Sequence, residues 1–267
     1  MSNLYTNNFG INKKEKIMRY LFILSLCFIT FSASATSDQY NVRTEVSFCK
    51  YKPGKGYDDV VKHAKKYEKF LRANELKYSK TIFKPVLAGK TDHDYVLWGT
   101  WPNGEEMYKE YGAYLNDYDA RDINPGICDR NVAFFNTAAL HMRIPSEERD
   151  RVQMVDFRSC KFTKDASWTK ILKLAADNEE ANIQLGRDGF GTHYLRPYRG
   201  FDADTPFDMI SMTHYYHRDK RAEATKTYPA IRDYRRANGF VDRWKENIES
   251  CSPSDLYSME WIYNTSN

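Results

Sequence analysis

Two short stretches carry the reading of this chain: "EVSFCKY" (residues 45–51) and "DFRSCKF" (residues 156–162). Each places an acidic residue ahead of a mostly apolar run that ends in Cys-Lys-aromatic, and the second lies 111 residues after the first. Both alternate as a strand does. The chain has only five cysteines, so two of them in matching strand contexts point to two copies of one unit.

The N-terminus decides what those cysteines can be. Lys13, Lys14, Lys16 and Arg19 precede an apolar run, Tyr20 to Phe31, followed by Ser32-Ala33-Ser34-Ala35. A basic region, a short apolar segment and an A-x-A site read as a secretory signal peptide, residues 1–35, cleaved after Ala35. Either Met1 or Met18 can be the start. The apolar run is too short to span a bilayer. The formal net charge of +4 lies largely in this leader, so the mature chain is near neutral and gives no electrostatic case for nucleic acid. A secreted or periplasmic location follows, with no membrane span in the mature chain. Asn264-Thr265-Ser266 is a glycosylation sequon if the host uses one.

Cys27 leaves with the leader. Cys49, Cys128, Cys160 and Cys251 remain, and an even number in an exported chain favours disulfides. No close C-x-x-C pair suggests metal, so no metal site is expected. The intervals 49–128 and 160–251 are similar and stand in tandem, which selects the pairing Cys49–Cys128 and Cys160–Cys251. Each is expected to tie a first strand to the loop before the last strand of its copy.

Reading outward from the cysteines, strands are expected at Val42–Tyr51, Tyr78–Leu87, Tyr95–Trp101 and Val132–Leu140. Helices are expected at Tyr57–Ala73 and roughly Glu105–Leu115. In the second half the expected strands are Val152–Phe162, Gly191–Tyr198, Phe207–His217 and Leu256–Tyr263. A helix is expected at Ser167–Ile183, and a helical region from Lys220 to about Ile248 with a break near Pro229. Arg143–Asp150, "RIPSEERD", reads as a linker, giving a first repeat over 36–142 and a second over 151–267. Two β-α-β-β-α-β units in tandem are two ferredoxin-like folds, an α+β class. On this order and the cysteine placement the chain resembles a fused pair from the dimeric α+β barrel superfamily, which includes antibiotic-biosynthesis-monooxygenase-like and stress-response-like proteins. The resemblance implies a pseudo-dimeric α+β barrel and a pocket between sheet and helices, without naming a reaction.

Strand alternation then proposes site residues. Val46 and Phe48, with Val155 and Phe157, should share one side, and Glu45 and Asp156 should fall on the cysteine side. An ion pair of Asp156 with Arg158 or Arg196 is the plainer reading of that acid; a polar pocket floor is the functional one. The middle strands of the first half, "YSKTIFKPV" and "YVLWGTW", are short of titratable groups. Those of the second, "GTHYLRPYRG" (191–200) and "MTHYYHR" (212–218), are rich in them. Tyr194, Arg196 and Tyr198 share a face of one strand, and Thr213, Tyr215 and His217 a face of the next. The expected site therefore places His217, Tyr194 and Arg196 in catalytic roles, with Tyr198, Tyr215, His193, His214, Asp156 and Glu260 as ligand contacts. The plainer alternative is a solvated sheet surface. His214 and His217 point to opposite faces and cannot chelate together. There is no nucleophile elbow, P-loop, dinucleotide fingerprint, HExxH or haem motif, so no cofactor is expected. The reading is an exported protein that binds a small molecule or carbohydrate in its second half, with any chemistry cofactor-free acid/base work. A non-catalytic secreted scaffold and a lyase on acidic polysaccharide stay open as alternatives, as do the question of catalysis itself and the oligomeric state.

Overall fold

The structure is a computed structural model that describes residues 42–89, 91–118, 124–138 and 148–266. The expected signal peptide and most of the expected linker lie outside the described residues. Nine strands and five helices follow one another: β1 (Arg43–Tyr51), α1 (Tyr57–Ala73), β2 (Ser79–Leu87), β3 (Tyr95–Trp101), α2 (Gly104–Asp117), β4 (Gly126–Ala138), β5 (Val152–Phe162), α3 (Trp168–Gln184), β6 (Phe190–Arg199), β7 (Met209–Tyr215), α4 (Arg218–Ala237), α5 (Phe240–Asn247), β8 (Ile248–Cys251) and β9 (Asp255–Asn264).

The helices start where local chemistry satisfies their first N–H groups. The Asp59 carboxylate accepts the Gly56 N–H at 3.1 Å at the start of α1. Asn103 accepts the Glu106 N–H at 2.9 Å at α2, and Ser167 caps α3 through Lys170. Helix α4 does not break at Pro229 as expected. Pro229 and Thr225, the residue one turn earlier whose carbonyl it leaves without a helical partner, are both exposed, so water can take that carbonyl's hydrogen bond. The break falls at Gly239, whose φ of 66° only glycine adopts cheaply.

The sheet closes on itself. The order is β7-β6-β4-β1-β3-β2-β9-β5, and β5 returns to pair with β7, all neighbours antiparallel, while β8 continues beside β5. The result is an eight-stranded antiparallel barrel with five helices outside it among the described residues. Both expected disulfides are present, Cys49–Cys128 and Cys160–Cys251. Their second cysteines lie in strands rather than loops: Cys128 pairs across from Cys49 within β4, and Cys251 from Cys160 within β8. Strand β4 starts six residues before the expected Val132. Gly126 opens it because a Cβ there would stand 1.9 Å from the buried Tyr95 hydroxyl, so a residue that reads as loop is needed in the ladder. Each bond closes a loop long enough to contribute roughly 4–5 kcal/mol by the loop-entropy argument.

Val46 and Val155 point into the barrel with Phe83, Trp98, Phe134, Leu195 and Met212, and Phe48 and Phe157 pack against this interior as expected. Glu45 and Asp156 point outward, beneath the helices. Under α1 and α2 the space is filled. Glu45 accepts hydrogen bonds from Tyr78 and, at 3.2 Å, from Tyr111, with Lys80 Nζ at 3.3 Å. Beside them Glu110, on α2, accepts from Tyr67 and is 4% exposed. The acids and tyrosines of this layer come from β1, from the helices and from Tyr78, just ahead of β2.

Burial raises the Glu110 carboxyl to about 7, against roughly 4.3 in an unfolded chain. The folded state thus holds this proton more tightly. Its contribution to stability is present below the unfolded value and is lost as pH rises towards 7, on the order of 3 kcal/mol in all. Glu110→Gln should therefore gain stability relative to the parent protein by up to about 3 kcal/mol between pH 4 and pH 8. Denaturant melts across that range read it directly, and a difference that does not change with pH would rule out a buried, protonated acid.

Candidate functional site

The outer face of β5, β6 and β7 is covered by α3, α4 and α5, but not filled. A cavity of about 620 Å³ lies between them. Its floor is strand side chains: Asp156 from β5, Tyr194 from β6, Thr213 and Tyr215 from β7. Its roof is helical. Arg221, Tyr228, Arg232 and Arg235 recur along one face of α4, at the spacing at which most helices place leucine. Phe240 and Trp244 come from α5.

Charge is the distinguishing property of this lining. Arg158, Arg187, Arg221, Arg232, Arg235 and Lys245 face it, against the single carboxylate of Asp156. Asp156 Oδ2 stands 3.2 Å from Arg221 Nε, so its ion partner is a helical arginine, not Arg158 or Arg196. Burial raises the Asp156 carboxyl, an effect that Arg221 and the Tyr215 hydroxyl work against. The same burial, followed by the Asp156 charge, lifts Tyr215 to about 12.

Two guanidiniums lack that compensation. Arg187 donates to neutral partners, the Asn182 side-chain oxygen at 2.6 Å and the Thr227 hydroxyl at 3.2 Å, and lies over Phe190. Arg235 lies over Phe240 with its Nε buried and without a hydrogen bond. Burial lowers the pKa of both, and Arg187 lowers that of Arg235 further. Holding a half-buried guanidinium without a carboxylate costs free energy that an incoming anion recovers.

The structure divides the expected site residues among several places. Tyr194, Tyr215 and Asp156 line the cavity. Arg196 and Tyr198 share the face of Tyr194 but not its surroundings. Strand β6 pairs with β7 only as far as Leu195 and with β4 from His193 to Arg199, so it runs from the N-terminal edge of α3, where Arg196 lies 5.7 Å over Trp168, towards Tyr108 of α2. There Arg196 lies over Phe135, and the Tyr198 hydroxyl meets that of Tyr108 at 2.8 Å. His193 and His214 alternate to the other side of the sheet and enter the barrel. His193 Nδ1 lies 3.1 Å from Asn136 Oδ1, and His214 pairs with Gln153. Burial holds the His214 pKa well below the usual histidine value. His217 lies beyond the end of β7, as the residue before α4, 3.9 Å from Asp150. Glu260 stands at the β2–β9 seam, accepting from Tyr57 and paired with Arg151 at 3.2 Å. His217, Tyr194 and Arg196 therefore do not converge, because the face of one strand crosses two different helix layers.

The arginines of α4 were not expected. Their signal was present in "RDKRAEATKTYPAIRDYRRA", where a helix that must pack on a sheet offers few apolar residues and repeats arginine and tyrosine instead. Among the described residues, no histidine, methionine or free cysteine lines the cavity and no cluster of metal-ligating side chains occurs. No helix is long and apolar enough to cross a membrane among those residues.

The sequence matches no protein-family model and no curated protein. Among solved structures it is similar to an anthrone oxidase-like protein at 14% identity and a TM-score of 0.46, over 85% of this chain and 95% of that one. It is also similar to the chlorite dismutase of Candidatus Nitrospira defluvii in complex with imidazole, at 10% identity and a TM-score of 0.48, over 85% and 93% of the two chains. No residue role passes across at this distance.

Proposed function

We propose that this chain binds a small anionic molecule with an apolar or aromatic body in the cavity beneath α3, α4 and α5. The observation that carries the reading is the half-buried pair Arg187 and Arg235, which face that cavity without a carboxylate partner among the described residues. Guanidinium forks match carboxylate, sulfonate or phosphate oxygens. Tyr194, Tyr215, Phe240 and Trp244 supply apolar surface for the rest of the ligand. Any proton transfer in this site falls to Asp156, held by Tyr215 and Arg221, rather than to His217.

The finer architecture belongs to the same reading. The two halves are tandem copies of a ferredoxin-like unit that closes as a pseudo-dimeric barrel. Strand orders support it, β4-β1-β3-β2 in one half and β9-β5-β7-β6 in the other. So does register: Cys49 faces Tyr95 as Cys160 faces Met209, and Glu45 faces Gly99 as Asp156 faces Thr213. Export fits the two disulfides, which form and persist in oxidising compartments.

The test is a fluorescence titration with 8-anilinonaphthalene-1-sulfonate, beside the uncharged N-phenyl-1-naphthylamine. The sulfonate should bind the parent protein, and Arg187→Gln/Arg235→Gln should weaken it about tenfold or more. The uncharged probe should bind weakly and be insensitive to the substitutions. Arg196→Ala should leave sulfonate binding unchanged, since Arg196 is outside the cavity. Equal binding of both probes would remove the anion reading.

A stability measurement probes the same arginine. Without ligand, Arg235→Gln removes a half-buried guanidinium that has no carboxylate partner among the described residues. It should raise the thermal midpoint by about 2–4 °C, near 1 kcal/mol. A fall in the midpoint would show that Arg235 holds the helices together instead.

A further inference from the structure

We propose that the ligand of the cavity is a hydroxylated aromatic acid, whose adjacent hydroxyls meet a row of hydroxyls on the cavity floor. This rests on the anion-binding reading of the same site and adds what recognises the rest of the molecule. Three strands supply that floor. On its central rung Thr192 of β6 stands opposite Thr213 of β7, and Thr213 opposite Asp156 of β5. On the next outward-facing rung Tyr194 stands opposite Ser211, and Ser211 opposite Arg158. All six line the cavity. The rungs on either side are aromatic or apolar, with Phe190 opposite Tyr215 at one end and Met209 opposite Cys160 at the other.

The floor is set apart by hydroxyls left open. Among the described residues the side-chain hydroxyls of Thr192, Ser211 and Thr213 make no hydrogen bond, and none of them is closed off from the cavity. The layer under α1 and α2 shows what such rungs hold when helices simply cover them. There they read Lys80–Gly99–Glu45 and Ile82–Leu97–Ser47. Lys80 and Glu45 pair at 3.3 Å, Ser47 donates to Asn131 at 3.3 Å, and Ile82 and Leu97 pack in the core. A covered strand face gains nothing from threonine and serine hydroxyls without partners. A ligand that brings its own hydroxyls does gain from them.

Register selects the ligand. Directly opposed residues of antiparallel strands hold their Cβ atoms about 4.5–5.5 Å apart, so two hydroxyls on adjacent ring carbons can reach both Thr192 and Thr213. A threonine hydroxyl gives or takes a hydrogen bond, but the rung ends on Asp156, whose ionised carboxylate only accepts. A donor therefore suits that place, which favours a hydroxyl over an ether or a carbonyl. Arg187 and Arg235 take the acid group, and Phe190 and Tyr215 at the end of the floor offer apolar surface to the ring.

The experiment is a calorimetric titration of the full chain with benzoate, 3,4-dihydroxybenzoate and 3,4-dimethylbenzoate, in which methyl groups replace the hydroxyls at nearly the same size. The dihydroxy acid should bind about tenfold or more tightly than the dimethyl acid, because methyl groups displace water from the floor hydroxyls without replacing its hydrogen bonds. Thr192→Val/Thr213→Val keeps the branched shape and suits a strand, so the preference should fall to about twofold or less in a folded protein. Thermal melts check folding, and if the double variant melts early Thr213→Val alone decides. Glucuronate, which has an acid and hydroxyls but no aromatic ring, should bind more weakly than the dihydroxy acid. Arg187→Gln/Arg235→Gln should weaken all three aromatic acids and keep the preference among them. The two readings then fail separately. Acids that bind through the arginines with no hydroxyl preference overturn this proposal alone; a hydroxyl preference without dependence on the arginines removes the anion reading instead. The proposal is also overturned if the valine variant keeps the preference, if glucuronate binds more tightly, or if none of the aromatic acids binds.

Discussion

Barrel closure is the constraint from which the site follows. With eight strands tied edge to edge through β4–β6 and β2–β9, every second side chain must enter an interior that, at eight strands, side chains largely fill. Phe83, Trp98, Phe134, Leu195 and Met212 occupy it. At one end the interior turns polar, and its members answer one another: Asn136 donates to Thr44 at 2.9 Å and meets His193, while His214 meets Gln153. The remaining side chains are committed to the outer face, where helices must cover them. Space for a large ligand can then open only between sheet and helices.

Whether it opens is settled by a few residues. Glu45 and Asp156 occupy corresponding places, each outward on the strand that carries the first cysteine. Opposite Glu45 stands Gly99, where a Cβ would lie 1.9 Å from the Tyr78 hydroxyl. The missing side chain lets Tyr78 lie flat across the sheet, reach Glu45 and fill the layer with Trp101 and Tyr67. Opposite Asp156 stands Thr213, which carries a side chain where the other half has glycine. Helix α4 faces this side with arginines, whose mutual repulsion opposes collapse. One half thus spends its acid on packing, and the other leaves it facing a cavity.

Much of the framework could be read from the residues. Helix α1 and strands β3 and β5 have the boundaries that their periodicity implied, because their apolar positions repeat cleanly and turn residues flank them. The cysteine pairing was legible because two similar intervals stand in tandem. The start of β4 was not, since a glycine chosen by the tyrosine across from it looks the same as a glycine chosen by a turn. Within the site, alternation led to Tyr194, Tyr215 and Asp156. It could not show that Tyr198 meets a different helix or that Arg196 stacks on Phe135 and Trp168 outside the cavity. The helical side of the cavity escaped because amphipathic patterns are sought through apolar residues. The buried stripe of α4 keeps Ala224 and Ile231 as its apolar members and gives its other places to arginine and tyrosine.

The second disulfide acquires a role from this geometry that the first does not have. Cys160 lines the cavity, and Cys251 lies in β8, which begins at the residue after α5 ends. The bond therefore anchors to the floor the strand that leads out of a roof helix. Helix α5 has only eight residues, too few to be stable alone; its Trp244 packs on the cluster of Cys160, Ile171 and Met209 and also borders the cavity, as Phe240 does. An element that packs along one edge and borders a cavity along the other gains from a covalent restraint. In the half where Tyr78 and Tyr67 fill the corresponding layer, the Cys49–Cys128 bond lies within one continuous core; here the bond lies in a small cluster at the border of the cavity, and it holds α5 where that packing ends.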